Sequence, residues 1–206
     1  MVYFFIAEGF EEIEALCPLD LLRRAGVAVK TVGIGGDMIR GAHGITVQAD
    51  IPEGLYADAA PEMVILPGGM PGTLNLEKNK TVSDFIDYAV KNNKLIAAIC
   101  AAPSILGHKG LLEGKEATCF PGFENELDGA TISDKYVVTD GNIITARGMG
   151  SAFVGTEHIL LSLLRETDSV AVKLLCIIIF CFAVCDLCSC FIHFYKCTII
   201  FHCSKK

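Results

Sequence analysis

One cysteine of this chain, Cys100, stands where a thiol can act as a nucleophile. It follows the wholly apolar run Leu95–Ile99, which predicts a buried strand, and precedes Ala101 and Ala102, which open a predicted helix. A cysteine at such a turn points its sulfur toward solvent, as in the nucleophile elbow of hydrolases. Because the start of a helix favours the thiolate, we expect a lowered pKa for the Cys100 thiol.

A carboxyl group and a glycine-rich turn complete this arrangement. Glu14 comes shortly after the first predicted strand, and Gly68 and Gly69 follow the third. The carboxyl ends of parallel strands meet at one edge of a sheet, so we expect these segments to lie beside Cys100. The backbone N–H groups of the turn then suit an oxyanion pocket, and the carboxyl group suits proton transfer to or from the thiol.

Each part taken alone also has a purely structural interpretation. A lone cysteine after a strand is more often a small buried hydrophobe, a glycine pair is usually a turn, and a helical glutamate is normally exposed. We interpret Cys17 and Cys119 in this way, as buried packing residues. Only the combination around Cys100 is specific.

The elements that must position these residues alternate between short apolar runs and helical segments. This pattern predicts an α/β fold with a mostly parallel sheet covered on both faces. The predicted strands are Val2–Ala7, Val27–Val32, Met63–Leu66, Leu95–Ile99, Glu116–Phe120, Tyr136–Thr139 and Asn142–Ala146, with a small β excursion in Gly35–Asp50. The predicted helices are Glu11–Ala25, a helix capped by Thr81 and running to Lys91, Ala101–Gly107 and Ser151–Arg165.

Four segments carry a resemblance to a known family. They are EGFEEIEA (Glu8–Ala15), ILPGGMPG (Ile65–Gly72), LIAAICAAPSIL (Leu95–Leu106) and ARGMGSAF (Ala146–Phe153). In this order they closely resemble the ThiJ/PfpI (DJ-one-like) family, and the resemblance runs from Val2 to about Lys173. It implies a flavodoxin-like three-layer α/β sandwich, usually a homodimer.

The resemblance also implies roles for individual residues. Cys100 matches the family's reactive cysteine, and Glu14 matches the protonated glutamate that hydrogen-bonds it. Gly69 and Ala101 match the positions whose backbone amides form the oxyanion site. The residues expected to border this pocket are Gly68 and Arg147.

The chain departs from the mammalian pattern at one position near this site. Where that branch has a histidine before a proline, this chain has Phe120-Pro121. His108 lies eight residues after Cys100 on the same predicted helix, more than two turns away, and does not replace that histidine. We therefore expect no Cys–His dyad, and Glu14 is the one strong acid–base candidate.

Two functions of different classes fit the same thiol. The resemblance implies a deglycase or glyoxalase-type hydrolase that acts on glyoxal or methylglyoxal adducts and needs no metal or organic cofactor. The alternative is a redox sensor or redox-regulated chaperone, in which Cys100 is oxidised to a sulfinate held by protonated Glu14. A peptidase-like hydrolase ranks third because the histidine is missing.

Composition restricts the compartment and the partners. The net charge of −7 argues against a nucleic-acid partner. Residues 1–173 hold three cysteines, and the N-terminus shows neither a secretory nor a transit signal, so we expect a cytoplasmic domain without disulfides. The expected partners are small carbonyl compounds or glycated adducts and a second copy of the chain.

The last 33 residues, Leu174–Lys206, differ abruptly from the domain expected over 1–173. They hold seven of the ten cysteines and begin with twelve apolar residues, Leu174–Cys185. We take this tail first as non-native sequence from an unspliced or misread gene end, and second as a membrane anchor. A segment that binds metal or is acylated is the third interpretation.

Overall fold

The described part of the chain is an α/β fold built on a seven-stranded sheet. The structure is a computed structural model, and it describes residues 1–55 and 60–165. In chain order the strands are β1 (Val2–Ala7), β2 (Val29–Ile34), β3 (Met38–Arg40), β4 (Thr46–Gln48), β5 (Ile51–Pro52), β6 (Met63–Leu66), β7 (Leu95–Ile99), β8 (Glu116–Ala117), β9 (Thr131–Ile132), β10 (Val137–Asp140) and β11 (Ile143–Ala146). The helices are α1 (Glu12–Arg24), α2 (Gly72–Lys78), α3 (Lys80–Lys91), α4 (Pro103–His108) and α5 (Ala152–Arg165), with 3-10 turns at Glu124–Glu126 and Met149–Ser151.

The strand order of the sheet brings the ends of three strands together. The order is β10-β11-β7-β6-β1-β2-β5, and each neighbouring pair is parallel except β10 with β11. Strand β6 therefore lies between β1 and β7 and points the same way as both. The segments that follow these three strands carry Glu14, Gly68 and Cys100, so the topology places all three at one edge of the sheet.

The central strands are apolar throughout because helices cover both of their faces. Every residue of β1, β6, β7 and β11 is buried. Helix α3 packs an apolar stripe against one face, where the Phe85 ring makes edge contacts with Tyr3 and Phe5 at 5.1 Å between ring centroids. Helices α1 and α5 pack together on the other face and line a small apolar cavity behind Glu14. The site is thus supported by a rigid core.

Most predicted strands are confirmed, and the buried ones are the most accurate. Strands β1, β6 and β7 have the predicted bounds, and the β excursion is the antiparallel pair β3–β4. Four strand predictions are wrong in their limits. Strand β2 runs over Val29–Ile34, two residues later than predicted. Strands β10 and β11 each begin one residue late, at Val137 and Ile143, and β10 ends one residue late, at Asp140. The strand predicted to reach Phe120 ends at Ala117. The Phe120 N–H donates instead to the carbonyl oxygen of Cys100 at 2.8 Å, so it leaves the strand ladder.

The helix predictions need three corrections. Thr81 is not the cap of α3, because the Asn79 side chain accepts the Val82 N–H at 3.2 Å and the helix begins at Lys80. Helix α2 was missed, since the glycine- and proline-rich segment before it predicts only a turn. The helix after Cys100 starts at Pro103 and has six residues.

The domain limit at residue 173 and the tail Leu174–Lys206 lie outside the described residues, so both stay predictions. Within residues 1–55 and 60–165, the helices are too short or too polar for any of them to cross a bilayer.

Candidate active site

Cys100 occupies a strained turn between β7 and α4. Its φ angle is +65°, in the left-handed region that side-chain-bearing residues rarely adopt. Two backbone hydrogen bonds hold the turn: the Cys100 N–H donates to the Ala146 carbonyl at 2.9 Å, and the Cys100 carbonyl accepts from the Phe120 N–H at 2.8 Å. The elbow expected from the sequence is therefore present.

Helix α1 buries Glu14 directly beside this thiol. The Glu11 side chain caps the helix by accepting the Glu14 N–H at 2.7 Å, which fixes the first turn. The Glu14 side chain is 2% exposed, its Oε2 accepts the Gly68 N–H at 3.0 Å, and the carboxyl group hydrogen-bonds the Cys100 sulfur. The backbone N–H of Met149 is a further donor to it.

The glycine turn approaches so closely that side chains are excluded. A Cβ atom at Gly68 would lie 2.6 Å from the Cys100 Cβ and 2.7 Å from Glu14 Oε2. Gly69 has a φ of +92°, and a Cβ there would lie 2.3 Å from the Glu11 nitrogen. The backbone amides of Gly69 and Ala101 both hydrogen-bond the Cys100 sulfur.

The protonation of the carboxyl group and that of the thiol are coupled. Burial raises the pKa of Glu14 to about 7, although its hydrogen bond to Cys100 acts in the opposite direction. Burial, followed by the charge of Glu14, raises the pKa of Cys100 to about 12. A thiolate near neutral pH therefore requires the proton to lie on Glu14.

This result contradicts the lowered thiol pKa expected from a helix start. The helix after the cysteine has only six residues and begins three positions later, at Pro103. The Cys100 sulfur thus receives two individual amide bonds, and burial together with the neighbouring carboxylate outweighs them.

Known proteins are similar to this chain in sequence and in fold. The sequence profile described as the DJ-1/PfpI family matches residues 1–160. The chain belongs to the DJ-1/PfpI family. Protein dj-1beta of Drosophila melanogaster is 36% identical over 151 residues, which cover 72% of this chain and 81% of that protein. A protein of Pyrococcus abyssi named as a deglycase is 29% identical over 153 residues, covering 71% of this chain and 89% of that one.

The similarity extends to the backbone. The structure of oxidised DJ-1 from Toxoplasma gondii superposes with a TM-score of 0.75 at 30% identity, covering 79% of this chain and 89% of that one. The expected family and the expected flavodoxin-like fold with a mostly parallel sheet are both confirmed.

This DJ-1/PfpI protein has a phenylalanine, Phe120, at the edge of the reactive pair formed by Cys100 and Glu14. A Cβ atom at Gly148 would lie 3.2 Å from Phe120 Cδ2 and 3.6 Å from Glu14 Oε1, so the ring and the carboxyl group border the same glycine. His108 is held elsewhere, with Nδ1 bonded to Glu77 and Nε2 bonded to Glu126 at 2.9 Å. The structure therefore offers no dyad of Cys100 with either of these two positions.

The other predicted residues of this family member lie around the pair. The Arg147 guanidinium donates to the Asp134 carbonyl at 3.2 Å, and its charge acts on Cys119. Cys119 is buried as predicted, and burial raises its pKa to about 11. Cys17 is only half-buried, so its prediction as a buried packing residue is wrong; it lies on α1 near the exposed Asp20, and burial raises its pKa.

Sequence reasoning missed the groups that surround Glu14. The Glu11 cap has a recognisable signal, because Glu11 lies three residues before the N–H that it accepts. The Met149 N–H has none, since it arrives from a distant loop. Glu11, Glu12 and His43 each place one potential metal-ligand atom within 4.8 Å of the others, but Glu12 and His43 already satisfy each other at 2.8 Å.

Proposed function

We propose that this DJ-1/PfpI protein is a cysteine-dependent deglycase or glyoxalase-type hydrolase for adducts of glyoxal and methylglyoxal. The observation that carries this proposal is the hydrogen bond between the buried Glu14 carboxyl group and the Cys100 sulfur, which also receives the amides of Gly69 and Ala101. The relative from Pyrococcus abyssi that is named as a deglycase supports the reaction class.

In the first step, the Cys100 sulfur bonds to the aldehyde carbon of methylglyoxal. The thiolate supplies the electron pair, and Glu14 gives its proton to the carbonyl oxygen, which leaves a hemithioacetal and a Glu14 carboxylate. The amides of Gly69 and Ala101 are available to the charge that develops on this oxygen. With the hemiaminal of an amine, sulfur replaces nitrogen and the amine leaves with the Glu14 proton, giving the same hemithioacetal.

In the second step, hydrogen moves within the substrate. The Glu14 carboxylate takes the proton from the carbon bonded to sulfur and returns it to the neighbouring carbon through an enediol. One carbon is oxidised, its neighbour is reduced, and a lactoyl thioester of Cys100 results. Water then breaks the C–S bond, which releases lactate and one proton and restores the shared proton of the pair. This internal redox step needs no metal or organic cofactor.

A redox sensor or redox-regulated chaperone is the second candidate. The related structure from Toxoplasma gondii is described as oxidised, and Glu14 stands where it can donate to an oxygen on the Cys100 sulfur. Two equivalents of peroxide would convert the thiolate to a sulfenic and then a sulfinic acid, with water as the by-product. Oxidation of Cys100 would then change which protein partner this protein binds, and no substrate would be turned over.

We also propose a cytoplasmic homodimer. Cys17, Cys100 and Cys119 are all free thiols, which suits a reducing compartment. Large apolar side chains are exposed on the packed helices α1 and α5, among them Ile13 (48%) and Phe153 (48%), and such surfaces are typical of contacts between subunits. Light scattering coupled to gel filtration measures the number of subunits.

The enzymatic proposal is tested by D-lactate formation from methylglyoxal with the full chain. The Cys100→Ser variant should lose activity by about 100-fold or more, because the hydroxyl is a far weaker nucleophile. Cys17→Ser is the matched control, since Cys17 is half-buried on the outside of α1, and it should keep full activity. Equal activity of Cys100→Ser and the unmodified chain would exclude the proposal.

A further inference from the structure

Phe120 lies against the reactive pair on both its backbone and its side-chain side. Its N–H donates to the carbonyl oxygen of Cys100 at 2.8 Å, so the backbone of Phe120 is tied to the nucleophile's own residue. Its ring carbons Cδ2 and Cε2 lie 3.2 and 3.7 Å from where a Cβ atom of Gly148 would be, and that point is 3.6 Å from Glu14 Oε1. The ring therefore stands at the carboxyl side of the site.

The backbone of Phe120 is held in place, and the residue remains accessible. Phe120 is 47% exposed, so about half of the residue is packed and half is open. Its carbonyl accepts the Phe123 N–H at 3.1 Å, and this turn fixes the backbone on the other side of the residue. A ligand that covers the Phe120 side chain therefore does not have to order the backbone of this residue.

Two exposed methionines belong to segments whose backbone lies at the site. Met70 follows Gly69, whose amide bonds the sulfur, and it is 46% exposed. Met149 provides a backbone donor to Glu14 and is 58% exposed. Both are soft, adaptable apolar residues attached to the backbone of the site.

We propose that Phe120 determines substrate specificity by favouring carbonyl compounds with an apolar or aromatic group next to the reactive carbon. This inference rests on the proposed function and adds the substrate class to it. An aryl group covers the exposed ring and gains an aromatic contact, whereas the bare second aldehyde of glyoxal gains neither. The preferred substrates are aryl and larger alkyl glyoxals.

Turnover of phenylglyoxal and glyoxal by the full chain gives the first test. The ratio of kcat/KM for phenylglyoxal to that for glyoxal should fall by about tenfold in Phe120→His, mainly through KM, and by less in the apolar variant Phe120→Leu. Val90→Ala removes an exposed apolar group from α3, on the opposite face of the sheet, and should leave the ratio unchanged. A ratio in Phe120→His within about twofold of the unmodified chain would overturn the proposal.

Alkylation of Cys100 gives a second test that needs no turnover. N-benzyl-2-chloroacetamide should label Cys100 faster than 2-chloroacetamide does, and this preference should fall by about tenfold in Phe120→His. If neither glyoxal is turned over while the labelling preference depends on Phe120, the proposed enzymatic activity is wrong and the proposed preference of Phe120 for aryl groups is supported. If turnover occurs and neither the kcat/KM ratio nor the labelling preference depends on Phe120, the enzymatic activity is supported and the role proposed for Phe120 is wrong.

Discussion

Two glutamates in the first turn of α1 both have little exposed surface, but they lie at different depths and their pKa values shift in opposite directions. Glu12 is 4% exposed and Glu14 is 2% exposed. The pKa of Glu12 is lowered, because hydrogen bonds from His43 and from the backbone outweigh the cost of burial. The pKa of Glu14 is raised to about 7, because burial outweighs its bonds to Cys100 and Gly68 and because the charge of Glu11 adds to it.

The difference shows that depth and donors together decide whether a covered carboxyl group keeps a proton, because Glu12 lies beside the exposed His43 whereas Glu14 lies deeper, beside Cys100. The loop between β3 and β4 supplies Glu12 with the His43 N–H at 2.7 Å, the His43 ring at 2.8 Å and the Ile45 N–H at 3.4 Å. These contacts favour the anion of Glu12, which joins α1 to the loop. Glu14 shares its proton with a sulfur instead, so the proton remains transferable.

The largest expected effect is the difference in kcat between variants of Glu14 and a variant of Glu12. Glu14→Gln keeps a hydrogen-bond donor beside Cys100 but cannot exchange a proton, so kcat for methylglyoxal should fall by about 100-fold or more. Glu14→Asp withdraws the carboxyl group by one methylene and should lose most turnover as well. Glu12→Gln is the matched control and should keep kcat within about threefold, since Glu12 does not touch the sulfur.

The same two variants distinguish an enzyme from a sensor. A sensor that needs only a donor at this position should still form the Cys100 sulfinate with peroxide in Glu14→Gln, as measured by peptide mass spectrometry. Unchanged methylglyoxal turnover in Glu14→Gln would refute the proton-transfer role.

A pair of glycines gives the next largest effect. Gly68→Ala places a methyl group within 2.6 Å of the Cys100 Cβ, and Gly41→Ala places one within 2.4 Å of Glu12 Oε1. Each crowds one glutamate and should lower the free energy of unfolding by about 1–3 kcal/mol. Only Gly68→Ala should also abolish turnover. Gly36→Ala has nothing within 4 Å of the new methyl group and serves as the control. Equal loss of activity in both crowded variants would argue against a division of roles.

The last effect concerns stability alone and is its dependence on pH. The pKa of Glu14 rises from 4.5 to about 7 on folding, so the folded state loses stability relative to a neutral side chain as pH rises through this window. Glu14→Gln should therefore be more stable than the unmodified chain above about pH 7, by up to about 3 kcal/mol, and the gain should vanish below about pH 4. Urea unfolding at several pH values measures it.

Glu12→Gln should show the opposite dependence. A lowered pKa stabilises the fold above the unfolded value of 4.5, and this contribution is lost as pH falls through the folded value. Glu12→Gln should thus be less stable near neutral pH and approach the unmodified chain in acid. Parallel curves for the two variants would show that the two sites do not differ.

The sequence predicted the elements whose signals are local and apolar. Strands β1, β6 and β7 have the predicted bounds because uninterrupted apolar runs admit few alternatives. Their parallel order then indicated that Glu14, Gly68 and Cys100 would meet. The cap at Asn79 was missed because Thr81 is an equally good capping residue two positions later.

What the sequence could not predict depends on contacts between distant segments. The pKa of Cys100 is raised by burial and by the charge of Glu14, and a helix of six residues does not outweigh these two effects. The position of the Phe120 ring depends on Gly148, which is remote in the chain. The contrast between Glu12 and Glu14 depends on the loop that carries His43, and one helical turn of sequence does not reveal it.

The central claim is that the Cys100 thiolate forms together with a protonated Glu14, because the charge of the Glu14 carboxylate opposes the thiolate, and the titration of Cys100 in Glu14→Gln tests it most directly. The ultraviolet absorbance of the thiolate is followed against pH, and the curve of the matching Cys100→Ser variant is subtracted in each case. The charge of Glu14 raises the pKa of Cys100, so the account predicts that the inflection in Glu14→Gln lies clearly below that of the unmodified chain. An inflection unchanged from that of the unmodified chain would contradict the account.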